Sequence, residues 1–199
     1  MVVSIEDRPH SAWEMLWVRE AYGLAPSGDL PPPLIDPPAP ATRSLGRTER
    51  ARWEAAWSSL WTPVIEHAGQ PTDTPAMDRL LRQDLSADER ATLLAEVTGP
   101  SWSDEFGHEV FHDPSYRDAE ERSLEAWRTT RPRRLDDLPE RRDVVALAPA
   151  WRRGLIRVVV IPCRGSYVRT LGPAGLLVTT EVRDDSATYR EALSSFAPR

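Results

Sequence analysis

Apolar residues recur every three or four positions through much of the chain, which is the spacing of amphipathic helices. The two clearest stripes lie on a first helix, from about Ala12 to Tyr22, and on a second helix that starts near Thr48. Their members are Trp13, Leu16, Trp17 and Ala21 in the first, and Trp53, Ala56, Trp57, Leu60, Trp61 and Val64 in the second. Exposed aromatic stripes promote aggregation, so we expect these Trp rings to be mostly buried.

Helix-capping signals place the boundaries of further helices. The starting signals are Ser11 with Glu14, Thr74 with Pro75, Ser86 with Glu89, and Asp113 with Pro114. Gly23 and Gly99 are typical of helix ends, and Pro63 is expected to kink or end the second helix. The first half of the chain is therefore predicted to be helical.

The pattern changes near the C-terminus. Leu155 to Ile161 and Leu176 to Val182 are β-branched apolar runs that predict strands, and a last helix follows Asp185 or Ser186. Helices followed by a strand, a loop or hairpin, a strand and a helix favour an α+β fold that is predominantly helical. We expect N-terminal helices, a small C-terminal β element of two or three strands, and a closing helix.

The chain is predicted to form a single domain over residues 1–199. Within it we distinguish an N-terminal helical arm (1–25), a proline-rich connector (26–41), a helical region (42–132) and an arginine-rich segment with the strands and final helix (133–199). The connector has seven prolines among residues 26–40, which favours extended backbone draped over the surface.

Composition narrows the classes of protein. Apolar residues make up 40% and charged residues 28% of the chain, which is the globular range. No apolar run approaches the ~18 residues of a membrane span, and residues 1–20 lack a secretory signal pattern. With Cys163 as its single cysteine and Arg as its only basic residue besides His, the chain is expected to be cytoplasmic and bacterial.

Charge is concentrated in one segment. Residues 128–169 hold eleven Arg against four acidic residues, so this segment is +7 while the chain as a whole is −6. We expect these arginines, and Arg131, Arg133 and Arg134 in particular, to meet acidic protein surface, either of this chain or of a partner. Nucleic acid is the alternative partner, although the pI near 5.3 is low for a nucleic-acid-binding domain.

The string His108-Glu109-Val110-Phe111-His112 matches HExxH, in which two His one helical turn apart bind zinc and the Glu activates a water molecule. A helix from Ser103, as its N-cap, to His112 would carry it. On that helix the two His and Glu109 fall opposite the apolar side, so we expect an exposed polar face and no catalytic zinc. A zinc-dependent hydrolase remains the alternative.

A second string, Pro162-Cys163-Arg164-Gly165-Ser166-Tyr167-Val168-Arg169-Thr170, follows the first predicted strand. It resembles the phosphate loop of cysteine-dependent protein phosphatases, and the positions of its glycine and final Arg-Thr are similar to the low-molecular-weight branch. The resemblance implies a nucleophilic thiolate at Cys163 and phosphate binding by Arg169. That loop requires a long helix directly after it, whereas Gly172-Pro173 stops any helix, so the alternative is a turn with Cys163 at a strand end.

These observations favour a non-catalytic protein that acts through protein contacts, as an adaptor, regulator or immunity-type factor, with no cofactor. The enzyme alternative uses His108, Glu109 and His112 with zinc. A further alternative is a nucleic-acid-associated protein that uses residues 128–169.

Overall fold

The computed structural model of the protein describes residues 1–71, 74–81, 85–130 and 134–198. The strands are β1 (Ser4–Glu6), β2 (Arg157–Ile161), β3 (Val168–Leu171) and β4 (Gly175–Thr179). The first helices are α1 (His10–Ala21), α2 (Arg47–Ala68), α3 (Thr74–Leu80), α4 (Ala87–Thr98), α5 (Trp102–Phe106) and α6 (Pro114–Thr130). The remaining helices are α7 (Pro139–Arg142), α8 (Val144–Arg152), α9 (Thr180–Asp184) and α10 (Ser186–Ser195), and 3₁₀ turns span Glu109–His112 and Leu135–Asp137.

The expected α+β, predominantly helical fold is confirmed, with one four-stranded sheet in the order β1-β2-β4-β3. Strand β2 pairs in parallel with both β1 and β4, and β3 pairs antiparallel with β4. All five residues of β2 and all five of β4 are buried, which is why both strands read as continuous apolar runs. The outer strand β1 escaped prediction because Ile5 is the only apolar residue in its three positions.

Helices cover both faces of this sheet. Val159 and Ile161 of β2 point into a larger core with α1 and α2, while Val158 and Val160 point into a smaller core with α8 and α10. The alternation follows from the two-residue period of a strand. No helix among the described residues has the length and apolarity needed to span a membrane.

Several predicted boundaries need correction. The strand predicted from Leu176 to Val182 already ends at Thr179 in the structure. The Thr179 hydroxyl accepts the Val182 N–H and so starts α9. Pro63 lies inside α2, which continues to Ala68. Helices α7 and α8 were not predicted, because α8 has only nine residues and contains Pro149.

The capping predictions are confirmed at several helices, but the predicted capping box of Ser11 and Glu14 is wrong, because α1 begins at His10 and Ser11 lies inside it. Ser86 and Glu89 form the capping box of α4, and Gly99 ends that helix with a φ of +66°. The Asp113 carboxylate accepts the Ser115 N–H where α6 begins, and the Asp185 carboxylate accepts the Thr188 N–H at the start of α10.

The Trp stripes form the larger core, as predicted. Trp17, Trp53, Trp57 and Trp61 are between 0% and 4% exposed, and Trp13 is half-buried. Trp57 and Trp61 stack with ring centroids 5.1 Å apart. Another aromatic pair, Trp53 and Trp102, meets edge to face at 5.2 Å, which is a favoured geometry for aromatic rings.

The proline-rich connector is held by two neighbouring side chains of α1. Arg19, 7% exposed, donates to the carbonyls of Pro31 (2.6 Å) and Pro32 (2.9 Å), and its guanidinium lies 5.5 Å from the Trp57 ring centroid. The Glu20 carboxylate accepts the Leu34 N–H at 2.6 Å and pairs with Arg19 at 3.1 Å. The connector is therefore fixed to the body at defined points.

We expect Arg19→Ala to lower the free energy of unfolding by about 3 kcal/mol, because it leaves buried carbonyls and the Glu20 carboxylate without their donor. Denaturant unfolding measures this. Arg117→Ala is the matched control, since Arg117 is exposed and makes no side-chain hydrogen bond to a described residue. A loss below about 0.5 kcal/mol for Arg19→Ala, the range of ordinary surface substitutions, would contradict the anchoring role.

Candidate functional site

The HExxH string does not lie on an α-helix. The predicted helix from Ser103 to His112 is wrong: α5 starts at Trp102, after Ser101 donates its N–H to Asp104, and ends at Phe106. Gly107 then adopts a φ of +75°, which is incompatible with a continuing helix, and the rest of the string forms the 3₁₀ turn at Glu109–His112.

This turn separates the side chains that a zinc-binding HExxH helix brings together. His108, Glu109 and His112 are exposed, and residues four apart in a 3₁₀ turn differ by about 120° in direction, since that helix has three residues per turn. Val110 instead is buried, and Phe111 packs 6.0 Å from Trp17 between ring centroids. Over the described ranges, no three His, Cys, Asp or Glu side chains are grouped to hold a metal.

Asp113, next along the chain, has a structural role. Its carboxylate accepts hydrogen bonds from the Ser115 N–H (2.9 Å) and from both the N–H and hydroxyl of Thr42. Burial alone would raise the pKa of Asp113, but these hydrogen bonds outweigh it and lower the pKa below its ordinary value. Asp113 thus ties α6 to the segment that precedes α2.

Cys163 lies just beyond the end of β2, as the strand-end interpretation expects. The side chain is fully buried, and the residue forms an isolated antiparallel bridge with Leu34 of the connector. Burial raises the pKa of the Cys163 thiol to about 12. The chain continues into β3 and not into a helix, and the Gly165 N–H is donated to Glu181 at 2.6 Å.

Some arginines of residues 128–169 form ion pairs with acidic residues of this chain, and others form none with the described residues. Arg142, Arg157 and Arg169 pair with acidic residues of this chain at 2.8, 2.8 and 3.9 Å. Those acidic partners are Asp143, Glu6 and Asp29, respectively. Arg131 and Arg133 lie outside the described residues. The exposed side chains of Arg134, Arg141 and Arg152 make no hydrogen bond or ion pair with any described residue.

Helix α8 presents a mixed apolar and basic surface that sequence reasoning missed. Residues 144, 148 and 152 line up along the helix, with residues 145 and 149 beside them. We call this set, Val144, Val145, Ala148, Pro149 and Arg152, the α8 surface. Val145 is 84% exposed and Val144 42% exposed, and Trp151 at its edge is 38% exposed. The opposite side of α8, Leu147 and Ala150, is buried in the smaller core.

A cavity of about 350 Å³ lies on the other face of the sheet, between the start of the connector, α2 and β3. We call it the Arg169 cavity; it is lined by Ser27, Gly28, Asp29, Leu30, Trp57, Ser58, Trp61, Thr62 and Arg169. Arg169 lies beside Asp29, and Cys163 is not among the residues that line the cavity. Burial raises the pKa of neighbouring Tyr167, and Arg169 offsets part of that increase.

A second cavity, of about 430 Å³, includes His10 and His67 in its walls. His10 Nε2 lies 3.2 Å from the buried Glu14 carboxylate, which also accepts the Tyr116 hydroxyl at 3.3 Å. The hydrogen bond with Glu14 is the main reason that the pKa of His10 is raised above 6.5, with a smaller contribution from Glu120. The second imidazole, His67, contacts the Val97 carbonyl at 3.1 Å.

The raised pKa of His10 predicts pH-dependent stability. The contribution of His10 to the free energy of unfolding is fully present below its pKa of about 6.5 in the unfolded chain. This contribution is lost as pH rises through the higher pKa that His10 has in the folded protein. We expect His10→Gln to be less stable than the original chain at pH 5.5, by no more than about 1 kcal/mol because the site is exposed, and to match it at pH 9. Urea unfolding at both pH values tests this, and an equal difference at both would contradict it.

Burial of Cys163 predicts slow alkylation. We expect iodoacetamide to label the folded protein at least about 100-fold more slowly than the same protein in denaturant, at pH 6 and at pH 8, because the reactive thiolate is scarce and enclosed. Mass spectrometry follows the reaction. Rapid labelling of the folded protein at pH 6 would instead indicate an activated thiolate.

The α8 surface and the Arg169 cavity lie on opposite sides of the sheet. The α8 surface offers apolar area with a cation, and the Arg169 cavity offers a paired cation and anion. Compared with known protein families, curated proteins and solved structures, the chain matches none of them.

Proposed function

We propose that this protein is a non-catalytic adaptor, regulator or immunity-type factor that binds another protein through the α8 surface. The observation that carries the proposal is the exposure of Val145, at 84%, on a helix whose opposite side is packed into the core. A large apolar side chain gains free energy when a partner removes it from water, at about 25 cal/mol per Å² of apolar area. The same helix adds Val144 and Trp151.

The residue types on and around the α8 surface are those of protein interfaces. Trp and Arg are enriched where partners bury a contact, whereas Lys and Glu are depleted there. Arg152 lies on the α8 surface, and Arg141 lies on α7, which is separated from α8 by one residue. Both guanidinium groups are exposed and lack ion pairs with the described residues.

These cations favour a partner with acidic groups around an apolar centre. Arginines elsewhere in the same segment already pair with the chain's own acids, as Arg157 does with Glu6 at 2.8 Å. Outside residues 128–169 the chain carries a charge of −13, which repels a polyanion such as nucleic acid. A protein partner with a local acidic patch avoids most of that repulsion.

A charge placed in the centre of the α8 surface should abolish partner binding. In cells that carry the gene, we expect the tagged original chain to capture one specific protein. Val145→Asp should abolish this capture, and Arg152→Glu should weaken it at least tenfold. Cross-linking and mass spectrometry identify that protein and the contacting residues.

Leu94→Asp is the matched control, since Leu94 is an apolar residue on α4 that is 46% exposed and lies outside the α8 surface. This variant should capture the partner as the original chain does. The free energies of unfolding of all three variants should lie within about 0.5 kcal/mol of that of the original chain. Capture that survives Val145→Asp would contradict the proposal. Capture that disappears on nuclease treatment would instead support the nucleic-acid alternative.

A further inference from the structure

Three separate parts of the chain line the Arg169 cavity: the connector, α2 and β3. Trp57 and Trp61, which are 0% and 2% exposed, form its buried side, and α2 adds Ser58 and Thr62. The connector contributes residues 27–30, whose position is fixed because Arg19 holds Pro31 and Pro32 directly after them. A volume of about 350 Å³ lies within the range of small-molecule sites.

Arg169 is held in place but not saturated. Its side chain is 16% exposed, its Nη2 donates to the Thr62 hydroxyl at 3.2 Å, and its Nη1 lies 3.9 Å from Asp29 Oδ2. The last distance is too long for a hydrogen bond. The guanidinium also hydrogen-bonds the Tyr167 side chain. A guanidinium carries five N–H donors, so these contacts leave donors for a ligand carboxylate, which Arg binds with matching planar geometry.

Asp29 supplies the opposite charge at the open side of the cavity. Its side chain is 70% exposed, and the Tyr167 hydroxyl donates to Oδ2 at 3.3 Å. Of the residues that line the cavity, Asp29 and Arg169 are the charged ones. The site therefore combines one cation and one anion that are close but not bonded to each other.

A simple anion fits this arrangement poorly, because Asp29 repels it. An α-amino acid carries a carboxylate and an ammonium group on the same carbon atom, and so presents both charges at short separation. We propose that the Arg169 cavity binds a free α-amino acid, with its carboxylate on Arg169 and Thr62 and its ammonium group on Asp29.

The hydroxyl groups suit the same ligand. Thr62 Oγ1 accepts from Arg169, which leaves its own O–H to donate to the ligand carboxylate. Ser58 donates to the Ser27 carbonyl at 3.0 Å and so closes the wall between α2 and the connector. This inference is independent of the proposed protein-binding function, since the α8 surface lies on the other side of the sheet.

Calorimetric titration of the full chain with the twenty common free amino acids tests the proposal. We expect saturable one-to-one binding of at least one of them, with the N-acetyl derivative and the carboxamide of that amino acid each binding at least tenfold more weakly. Arg169→Gln and Asp29→Asn should each weaken binding of the free amino acid at least tenfold. Arg164→Gln is the matched control, because Arg164 is exposed and bonds to Ile35 away from the cavity.

Asp29→Asn keeps the result interpretable, since a substitution at a 70% exposed side chain leaves folding intact even if Arg169→Gln disturbs it. The proposal would be overturned if no free amino acid showed saturable binding at about 10 mM. This concentration is about ten times a weak Kd of 1 mM. Equal binding of the N-acetyl derivative would also overturn it, because the ammonium group would then have no role. Equal affinity in the original chain and both variants would place the ligand elsewhere and have the same consequence.

Discussion

The parallel pairing of β2 with β4 is the constraint on which the rest of the structure depends. Both strands are buried on both faces, so the chain must supply a helical layer on each side and must pass from β2 to β4 without a tight hairpin. It does so through β3, which forms the outer edge before β4 turns back into the centre. The loop that follows β2 therefore leads to an edge strand, and Cys163 is enclosed where that loop meets the connector.

The proline-rich connector lies between α1 and the loop that follows β2. Arg19 and Glu20 of α1 hold it on one side, and the loop after β2 holds it on the other, where the Arg164 N–H donates to Pro33 and the Ile35 N–H donates to Pro162. Prolines lack N–H groups but keep their carbonyls, so a proline-rich segment has free acceptors for a buried guanidinium. Residues 27–30 become one wall of the Arg169 cavity as a consequence.

The two proposed sites use different physical properties of the two helical layers. On the layer with α1 and α2, large aromatic rings packed against the sheet form one side of an open polar cavity beside Arg169. On the layer with α8 and α10, the helices are short, and α8 packs Leu147, Ala150 and part of Ala146 against the core, which leaves its valines exposed. A cavity of small-molecule size and a larger exposed surface thus lie on opposite sides of the sheet.

The sequence by itself determined the helical class of the fold, the Trp-rich core, the caps at Ser86, Asp113 and Asp185, and strand β2. These follow from local spacing and capping chemistry, which act over a few residues. It did not reveal β1, because a three-residue strand with one apolar side chain has no periodic signal, nor α8, because Pro149 reads as a helix breaker although it lies within that helix.

Only the tertiary structure decided where the candidate site residues lie and what they contact. The HExxH letters matched a motif, but the positive φ of Gly107 divided the helix that the motif requires. Arg169 was singled out as a partner of Cys163, yet alternation along β3 turns it toward Thr62 and Asp29, and Asp29 gave no signal within a proline-rich connector. A short sequence string constrains its own backbone, whereas a site depends on which distant segments meet, and here the burial of the sheet between two helical layers decided that.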